Sequence, residues 1–90
     1  MDAFEALADP TRRRILELLA ERELAAGDLA RRFDMTPPAV SQHLKILRHA
    51  SLVRVRSDAQ RRMYALEATG LADVEEWLTR YRRMRSERAQ

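Results

Sequence analysis

The sequence predicts a mainly α-helical domain with one small β-hairpin, in the order α-α-α-α-β-β-α. Two observations place the helices: apolar residues recur three or four positions apart, and two segments begin with a capping residue followed by proline. A third places the hairpin, because apolar and charged residues alternate from Leu52 onward. With 90 residues, 46% of them hydrophobic, the chain suffices for one core, so we expect one domain over residues 1–90.

The first two helices are separated by Asp9. A short helix is expected over about residues 3–8. Asp9 is a good N-cap, and Pro10 suits the first helical position because its missing N–H would have no partner there. A second helix is therefore predicted from Pro10 to about Glu21. Its predicted buried stripe consists of Ile15, Leu18 and Leu19, and its three arginines are expected on a solvated face: Arg12, Arg13 and Arg14.

A helix-turn-helix is predicted next. A third helix over about residues 27–33 ends at Asp34-Met35, and Thr36 then caps a fourth helix that starts with Pro37 and runs over about residues 37–49. The predicted buried residues of the third helix are Leu29, Ala30 and Phe33.

The chain ends with a hairpin and a last helix. Valines alternate with Arg54 and Arg56, and Tyr64 and Leu66 alternate after the polar stretch SDAQR, so a hairpin is predicted over about residues 52–66. Thr69 can cap a last helix over about residues 70–88.

The fourth helix has an unusual outward face. At about 100° per residue, Val40, Leu44 and Leu47 fall within about 60° of one another and define the buried side. The residues on the outward face and its flank are Pro38, Ser41, Gln42, Lys45, Arg48 and His49. His43 lies at the edge of the buried side, where packing and hydrogen bonding are expected of it rather than base reading. No acid occurs between Met35 and Ser57, whereas solvent-exposed helix faces normally mix both charge signs.

This face suits the major groove of double-stranded DNA, which admits one α-helix. Ser41 and Gln42 can exchange hydrogen bonds with base edges, and Lys45 and Arg48 can neutralise phosphates. Residues 35–66 carry six basic residues and one acid, a net charge of +5. We therefore also expect three hairpin arginines to contact DNA: Arg54, Arg56 and Arg61.

The last helix carries more apolar surface than a small core covers. Leu71, Val74, Leu78 and Tyr81 form a seam with Trp77 beside it. We expect this seam to pair with its symmetry mate and with Phe4 and Leu7 of the first helix, so that a two-fold dimer sets two fourth helices about 34 Å apart. The alternative is that the seam packs on its own domain.

Three stretches, ALADPTRRRILELL, DLARRFDMTPPAVSQHLKILRHASLV and RRMYAL, closely resemble the ArsR/SmtB family of bacterial winged-helix repressors. The resemblance covers about residues 3–82. It implies a homodimer that binds an imperfect palindrome, with the fourth helix as recognition helix and the last helix for dimerisation. It also implies that Pro38, Ser41 and Gln42 approach bases, and that the hairpin forms a wing reaching the DNA backbone or the minor groove.

The sequence departs from this family at two kinds of position. Founding members bind metal through cysteines in a stretch resembling ELCVCDL, which reads ELAAGDL here, and the last helix lacks the histidine of a second family site. We therefore expect no metal site and no cofactor. Two glycines common in the family are replaced by Ser51 and Ala59, so the wing is expected to be longer, looser or differently turned.

Other classes of protein find less support. Without cysteine or a Gly-rich loop, and with both histidines on the fourth helix, the chain offers no nucleophile–base pair, so we do not expect an enzyme. The N-terminus lacks a signal-peptide pattern and no apolar run could span a membrane, which favours a cytoplasmic protein. Two alternatives remain open: a winged-helix protein-interaction module, and a sensor of the same family with a non-cysteine metal or small-molecule effector.

Overall fold

The computed structural model describes residues 2–88, which form five α-helices and a three-stranded antiparallel sheet. The helices are α1 (Ala3–Leu7), α2 (Pro10–Glu21), α3 (Ala26–Phe33), α4 (Pro37–His49) and α5 (Ala68–Arg88). The strands are β1 (Leu24–Ala25), β2 (Val53–Asp58) and β3 (Arg61–Leu66). The predicted fold class is confirmed, and β1 is the one element that the sequence did not predict.

Helices α2 and α4 begin where their caps predicted. The Asp9 carboxylate accepts a hydrogen bond from Arg12 N at 3.1 Å, and the Thr36 hydroxyl accepts one from Ala39 N at 3.3 Å. The predicted buried stripe of α2 was partly wrong, because Leu16 is buried and Leu18 is only half-buried.

Two of the arginines expected on a solvated face of α2 instead bind the end of α1. Arg12 Nε donates to the carbonyl oxygen of Ala6 at 2.7 Å, and Arg13 Nη1 donates to that of Leu7 at 2.6 Å. Because the last carbonyls of a helix have no partner within it, these bonds stabilise a helix of only five residues.

Helix α5 begins two residues earlier than predicted, and Thr69 lies inside it rather than at its cap. The Glu67 carboxylate accepts from Thr69 N at 3.4 Å and from the Thr69 hydroxyl at 3.3 Å. A carboxylate before the first turn also complements the positive end of the helix dipole.

The sheet has the strand order β1-β3-β2. Strands β2 and β3 pair from Val53↔Leu66 to Asp58↔Arg61, so only Ala59 and Gln60 remain for the turn. Three of the five residues of the polar stretch SDAQR are therefore in strands, and the wing spans the predicted residues with a shorter turn than the apolar alternation indicated. On its other edge β3 pairs with β1, with Leu24 opposite Tyr64.

The core lies between helices α2, α3 and α4 and the sheet. Its largest fully buried side chains are Ile15, Leu29, Val40, Leu44, Leu47 and Leu52. Full burial of each such side chain stabilises the fold by about 1.5 to 3 kcal/mol. The three residues from α4 fix which side of that helix faces outward.

Among residues 2–88, three residues other than glycine adopt the left-handed conformation, with φ of 51° at Asp34, 60° at Ser51 and 57° at Ala59. Asp34 ends α3, Ser51 follows α4 and Ala59 begins the hairpin turn. Ser51 and Ala59 thus adopt a left-handed backbone that normally favours glycine. This conformation is strained in both residues because it brings the β-carbon too close to a backbone carbonyl oxygen.

Candidate nucleic-acid interface

The outward face of α4 is open to solvent, as its helical spacing predicted. Pro38, Ser41, Gln42, Lys45 and Arg48 are all exposed, and His49 beside them is exposed as well. The opposite side of α4 is anchored in the core by three fully buried residues, which holds this face toward solvent.

The cations of this face are not paired within the molecule. Across residues 2–88, no carboxylate oxygen lies within 4.0 Å of the charged nitrogens of Lys45 or Arg48. An anionic partner can therefore bind Lys45 and Arg48 without breaking an ion pair within the described residues.

The wing arginines are placed differently. Arg56 donates two parallel hydrogen bonds to the Glu23 carboxylate, Nε to Oε2 at 2.9 Å and Nη2 to Oε1 at 3.1 Å. The hydrogen bond to Arg56 is the main cause that lowers the pKa of Glu23 below 4.5, and the same bond raises the pKa of Arg56. Arg54 Nη1 instead donates to the carbonyl oxygen of Leu66 at 2.6 Å.

Arg61 is also held by an acid of the same chain. Its Nη2 donates to Asp28 Oδ2 at 2.8 Å, and the other oxygen of Asp28 binds Arg31. Arg62, which was not among the predicted contacts, lies with its guanidinium carbon 6.0 Å from the centre of the Tyr64 ring. Sequence reasoning missed the acids at positions 23 and 28 because only the β1–β3 pairing brings them to the wing.

One side-chain polar atom of α4 is buried without a hydrogen-bond partner in the described part of the chain: His43 Nδ1. It lies 3.8 Å from Asp9 Oδ2, the oxygen that caps α2. The prediction that His43 faces the edge of the core rather than the groove agrees with its half-buried side chain.

The predicted dimer residues fall into two groups. Phe4, Trp77, Leu78 and Tyr81 are between 39% and 45% exposed, which is high for such large apolar side chains. Trp77 stacks on Tyr81 with 5.4 Å between ring centres and meets Phe4 edge to face at 6.1 Å. The second group, partly buried against the core of its own domain, comprises Leu7, Leu71 and Val74.

The exposed group continues to Met84, which is 53% exposed and was missed in the sequence because it lies one turn beyond the recognised seam. These five residues, Phe4, Trp77, Leu78, Tyr81 and Met84, are called the aromatic seam below. The alternative that the seam packs on its own domain holds for Leu71 and Val74, whereas Trp77, Leu78 and Tyr81 stay exposed.

The segment that matches the family's cysteine stretch, Ala25 to Gly27, has no side-chain ligand atoms. Within the described residues no group of three or more His, Cys, Asp or Glu side chains could hold a metal ion. None of the described helices is both long and apolar enough to cross a membrane.

A helix-turn-helix with an exposed, acid-free second helix and a basic hairpin beside it defines a winged helix-turn-helix DNA-binding protein. Residues 9–55 match the model of the family "Bacterial regulatory protein, arsR family". The chain belongs to the ArsR family of transcriptional regulators, as the resemblance indicated.

Individual relatives agree with this family. The chain is 52% identical over 79 residues to the HTH-type transcriptional regulator Rv2034 of Mycobacterium tuberculosis, covering 88% of this chain and 74% of that protein. It is 38% identical over 80 residues to the transcriptional repressor SdpR of Bacillus subtilis, covering 89% of each. The crystal structure of an ArsR family transcriptional regulator superposes with a TM-score of 0.85 at 32% identity, covering 93% of this chain and 87% of that one.

The chain is therefore a DNA-binding transcriptional regulator. The prediction that it is not an enzyme is confirmed by this family of regulators, which is non-enzymatic.

Proposed function

We propose that this chain is a single DNA-binding domain that binds a palindromic operator as a homodimer and represses transcription. The observation that carries the proposal is the face of α4, which is exposed, free of acids and equipped with unpaired cations. Similarity to a relative described as a transcriptional repressor supports the direction of regulation.

The contacts are divided between bases and phosphates. Ser41 and Gln42, with Pro38 beside them, meet base edges in the major groove, where hydroxyl and amide groups can distinguish base pairs. Lys45 and Arg48 bind phosphates, which positions the helix but carries no sequence information.

The wing arginines differ in how readily they can leave their present partners to bind a phosphate. Within residues 2–88 Arg54 is bound only to a backbone carbonyl, so it can turn to a phosphate while losing one neutral acceptor. Arg56 and Arg61 must exchange a carboxylate for a phosphate, so their net contribution to affinity is smaller than that of Lys45 or Arg48. We retain all three as DNA-binding residues.

Dimerisation uses the aromatic seam together with the partly buried residues Leu7, Leu71 and Val74. An exposed patch with three stacked or edge-packed aromatic rings is typical of protein–protein interfaces. A two-fold axis through this patch sets the two copies of α4 about 34 Å apart, one turn of DNA.

Release from DNA does not depend on a metal ion in this proposal. The cysteine positions are occupied by alanine and glycine, and the last helix carries no histidine. Three ways of release remain: binding of a small molecule, binding of a protein partner, or only a change in the concentration of the regulator itself. A cytoplasmic location follows from DNA as the partner.

A comparison of two variants of α4 tests the division of contacts. Gln42→Ala removes a base contact, so it should cost about 1 to 3 kcal/mol on the operator and little on random duplex. Lys45→Ala removes a phosphate contact, so it should weaken binding to both and reduce the slope of log K against log salt by about one. Identical behaviour of the two variants on both duplexes would contradict this division.

A second candidate, a protein-interaction module, is favoured by the exposure of the aromatic seam. A salt titration with random duplex separates the two functions. A DNA-binding protein loses affinity steeply as salt rises, whereas a protein-interaction module shows no duplex binding even in dilute buffer.

A further inference from the structure

His43 occupies an unusual position for a residue of the recognition helix. Its side chain is 21% exposed, and its Nδ1 is buried and has no hydrogen-bond partner in residues 2–88. A buried polar atom without a partner costs free energy, so its environment should favour a state in which a partner is gained.

The nearest anionic group belongs to α2. Asp9 Oδ2 lies 3.8 Å from His43 Nδ1, just beyond hydrogen-bond distance, and the same oxygen accepts the capping bond from Arg12 N. One carboxylate oxygen therefore faces both the first turn of α2 and the middle of α4.

The following charged groups of the surrounding elements bind partners other than His43. From α2, the Arg12 guanidinium is turned to the carbonyls of α1. From α1, the Asp2 carboxylate accepts from Glu5 N. From α3, Asp28 binds Arg31 and Arg61, and from β2, Arg54 and Arg56 bind Leu66 and Glu23. Among described residues, Asp9 supplies the one carboxylate oxygen within 4.0 Å of a His43 nitrogen.

We propose that His43 and Asp9 form a positioning pair that sets the orientation of the recognition helix α4 against α2, and that protonation of His43 tightens the pair. This inference rests on the proposed function, because it concerns how α4 is presented to DNA. Neither residue contacts DNA in this arrangement.

The direction of the effect follows from the charges. A protonated imidazole donates from both nitrogens, so a contraction of less than 1 Å turns the 3.8 Å contact into a charge-assisted hydrogen bond. A neutral imidazole offers at most a neutral donor at Nδ1 and gains less. Since histidine is the side chain that commonly changes charge near neutral pH, the pair links proton binding to the orientation of α4 against α2.

The consequence is a linkage between protons and DNA. The proposal assigns the higher operator affinity to the tightened pair, so operator affinity should rise as the pH falls from about 8 to about 5.5. Since coupling free energies between sites commonly correspond to factors of about 5 to 150, we expect a change of about fivefold, at the lower end of that range.

Three variants test whether the pH dependence of operator affinity comes from the His43–Asp9 pair or from added positive charge near the DNA. Asp9→Asn retains a good N-cap for α2 but removes the anion, and His43→Gln removes the titrating group. His49→Gln is the matched control, because His49 is the other histidine of the chain and lies exposed on the same helix. Operator dissociation constants are measured for the natural chain and each variant at pH 5.5 and pH 8 and constant ionic strength.

The expected result is a pH ratio near one for Asp9→Asn and for His43→Gln, and a ratio close to that of the natural chain for His49→Gln. A natural ratio retained in Asp9→Asn but lost in His43→Gln would overturn the pair, because His43 would then act as a cation toward DNA. Loss of the ratio in His49→Gln alone would overturn it as well.

A measurement without DNA keeps this inference distinct from the proposed function. Urea unfolding of the natural chain, Asp9→Asn, His43→Gln and the double variant gives the coupling between the two residues. The coupling should be larger at pH 5.5 than at pH 8. Absence of coupling at both values overturns the pair whatever the duplex assay shows, whereas coupling with no binding to any duplex would refute the proposed function and leave the pair intact.

Discussion

Gly70 N donates a hydrogen bond of 2.9 Å to the carbonyl oxygen of Ser51, so the first turn of α5 lies directly against the connection between α4 and β2. A β-carbon on Gly70 would lie 2.5 Å from the carbonyl oxygen of Ala50 and 2.7 Å from that of Ser51. Only glycine allows α5 to approach the end of the recognition helix this closely.

Gly70→Ala should therefore destabilise the protein. The clashing atoms belong to the backbone and cannot rotate away, so we expect a loss of about 1 to 3 kcal/mol in the free energy of unfolding. Urea denaturation at fixed protein concentration measures it. Gly27→Ala is the matched control, because the nearest atom to its new β-carbon is the flexible end of Arg31 at 3.8 Å. That variant should gain about 0.5 to 1 kcal/mol from helix propensity, and equal effects of the two substitutions would contradict the close approach.

Ser51→Gly and Ala59→Gly should each stabilise the protein, since each residue holds a left-handed backbone that strains its β-carbon. We expect a gain of about 1 kcal/mol from each change, reduced somewhat by the greater freedom of glycine in the unfolded chain. Thermal unfolding measures the gain. Ala20→Gly, at an exposed position of α2, is the control and should cost about 1 kcal/mol instead. A loss of stability in all three variants would argue against the left-handed conformations.

Glu23→Gln should strengthen binding to DNA by releasing Arg56 from its two hydrogen bonds to the carboxylate. A released arginine that meets a phosphate steepens the slope of log K against log salt by about 0.9. Duplex titrations at several salt concentrations measure this slope. Glu17→Gln provides the control, because it removes the same charge from an exposed pair with Arg14 on α2. Equal slopes for the two variants would show that Arg56 does not reach the DNA.

The Glu23–Arg56 pair should also make the wing sensitive to acid. The pKa of Glu23 is lowered below 4.5 in the folded protein, so the pair stabilises the fold fully above that value and the stabilisation is lost as the pH falls through the lowered pKa. The free energy of unfolding of the natural chain should thus fall more than that of Glu23→Gln between pH 7 and pH 3. Parallel pH profiles of the two proteins would contradict the pair.

Trp77→Ala should weaken the proposed dimer, because Trp77 joins Phe4 and Tyr81 at the centre of the aromatic seam. Central aromatic residues of interfaces cost at least about 2 kcal/mol when truncated, which is close to a thirtyfold rise in the dimer dissociation constant. Sedimentation velocity over a range of concentrations measures it. Arg83→Ala, about 120° away around α5, should leave the constant unchanged. Equal sedimentation of the three proteins would exclude this face as the interface.

The local elements could be predicted from the sequence because their signals are local. Asp9-Pro10 and Thr36-Pro37 start α2 and α4 at the predicted residues, and the buried valine and leucines of α4 follow its helical spacing. Strand β1 has only two residues, too few for any periodicity. The acids that bind Arg56 and Arg61 lie 33 residues before them in the chain, and no pattern of spacing connects residues so far apart.

Ser51 and Ala59 illustrate a different limit. The sequence showed that glycine was missing at both positions, from which a longer, looser or differently turned wing was expected. The structure keeps the left-handed backbone at both, since the surrounding hydrogen bonds of Ser51 and the full ladder of the hairpin outweigh the strain. The residue type at a position shows where a left-handed backbone would be strained, but it does not show whether the folded protein adopts that backbone.

The pairing of β1 with β3 has a consequence for the entropy of recognition. An isolated two-stranded hairpin is only marginally stable in water. If a hairpin becomes ordered only when it binds, the conformational entropy that it loses makes the binding free energy less favourable. Here Leu24 and Ala25 form a third strand that pairs with β3, so the hairpin is part of a larger sheet. In the proposed complex the wing therefore binds DNA with its strands already ordered, and little binding free energy is lost in ordering them.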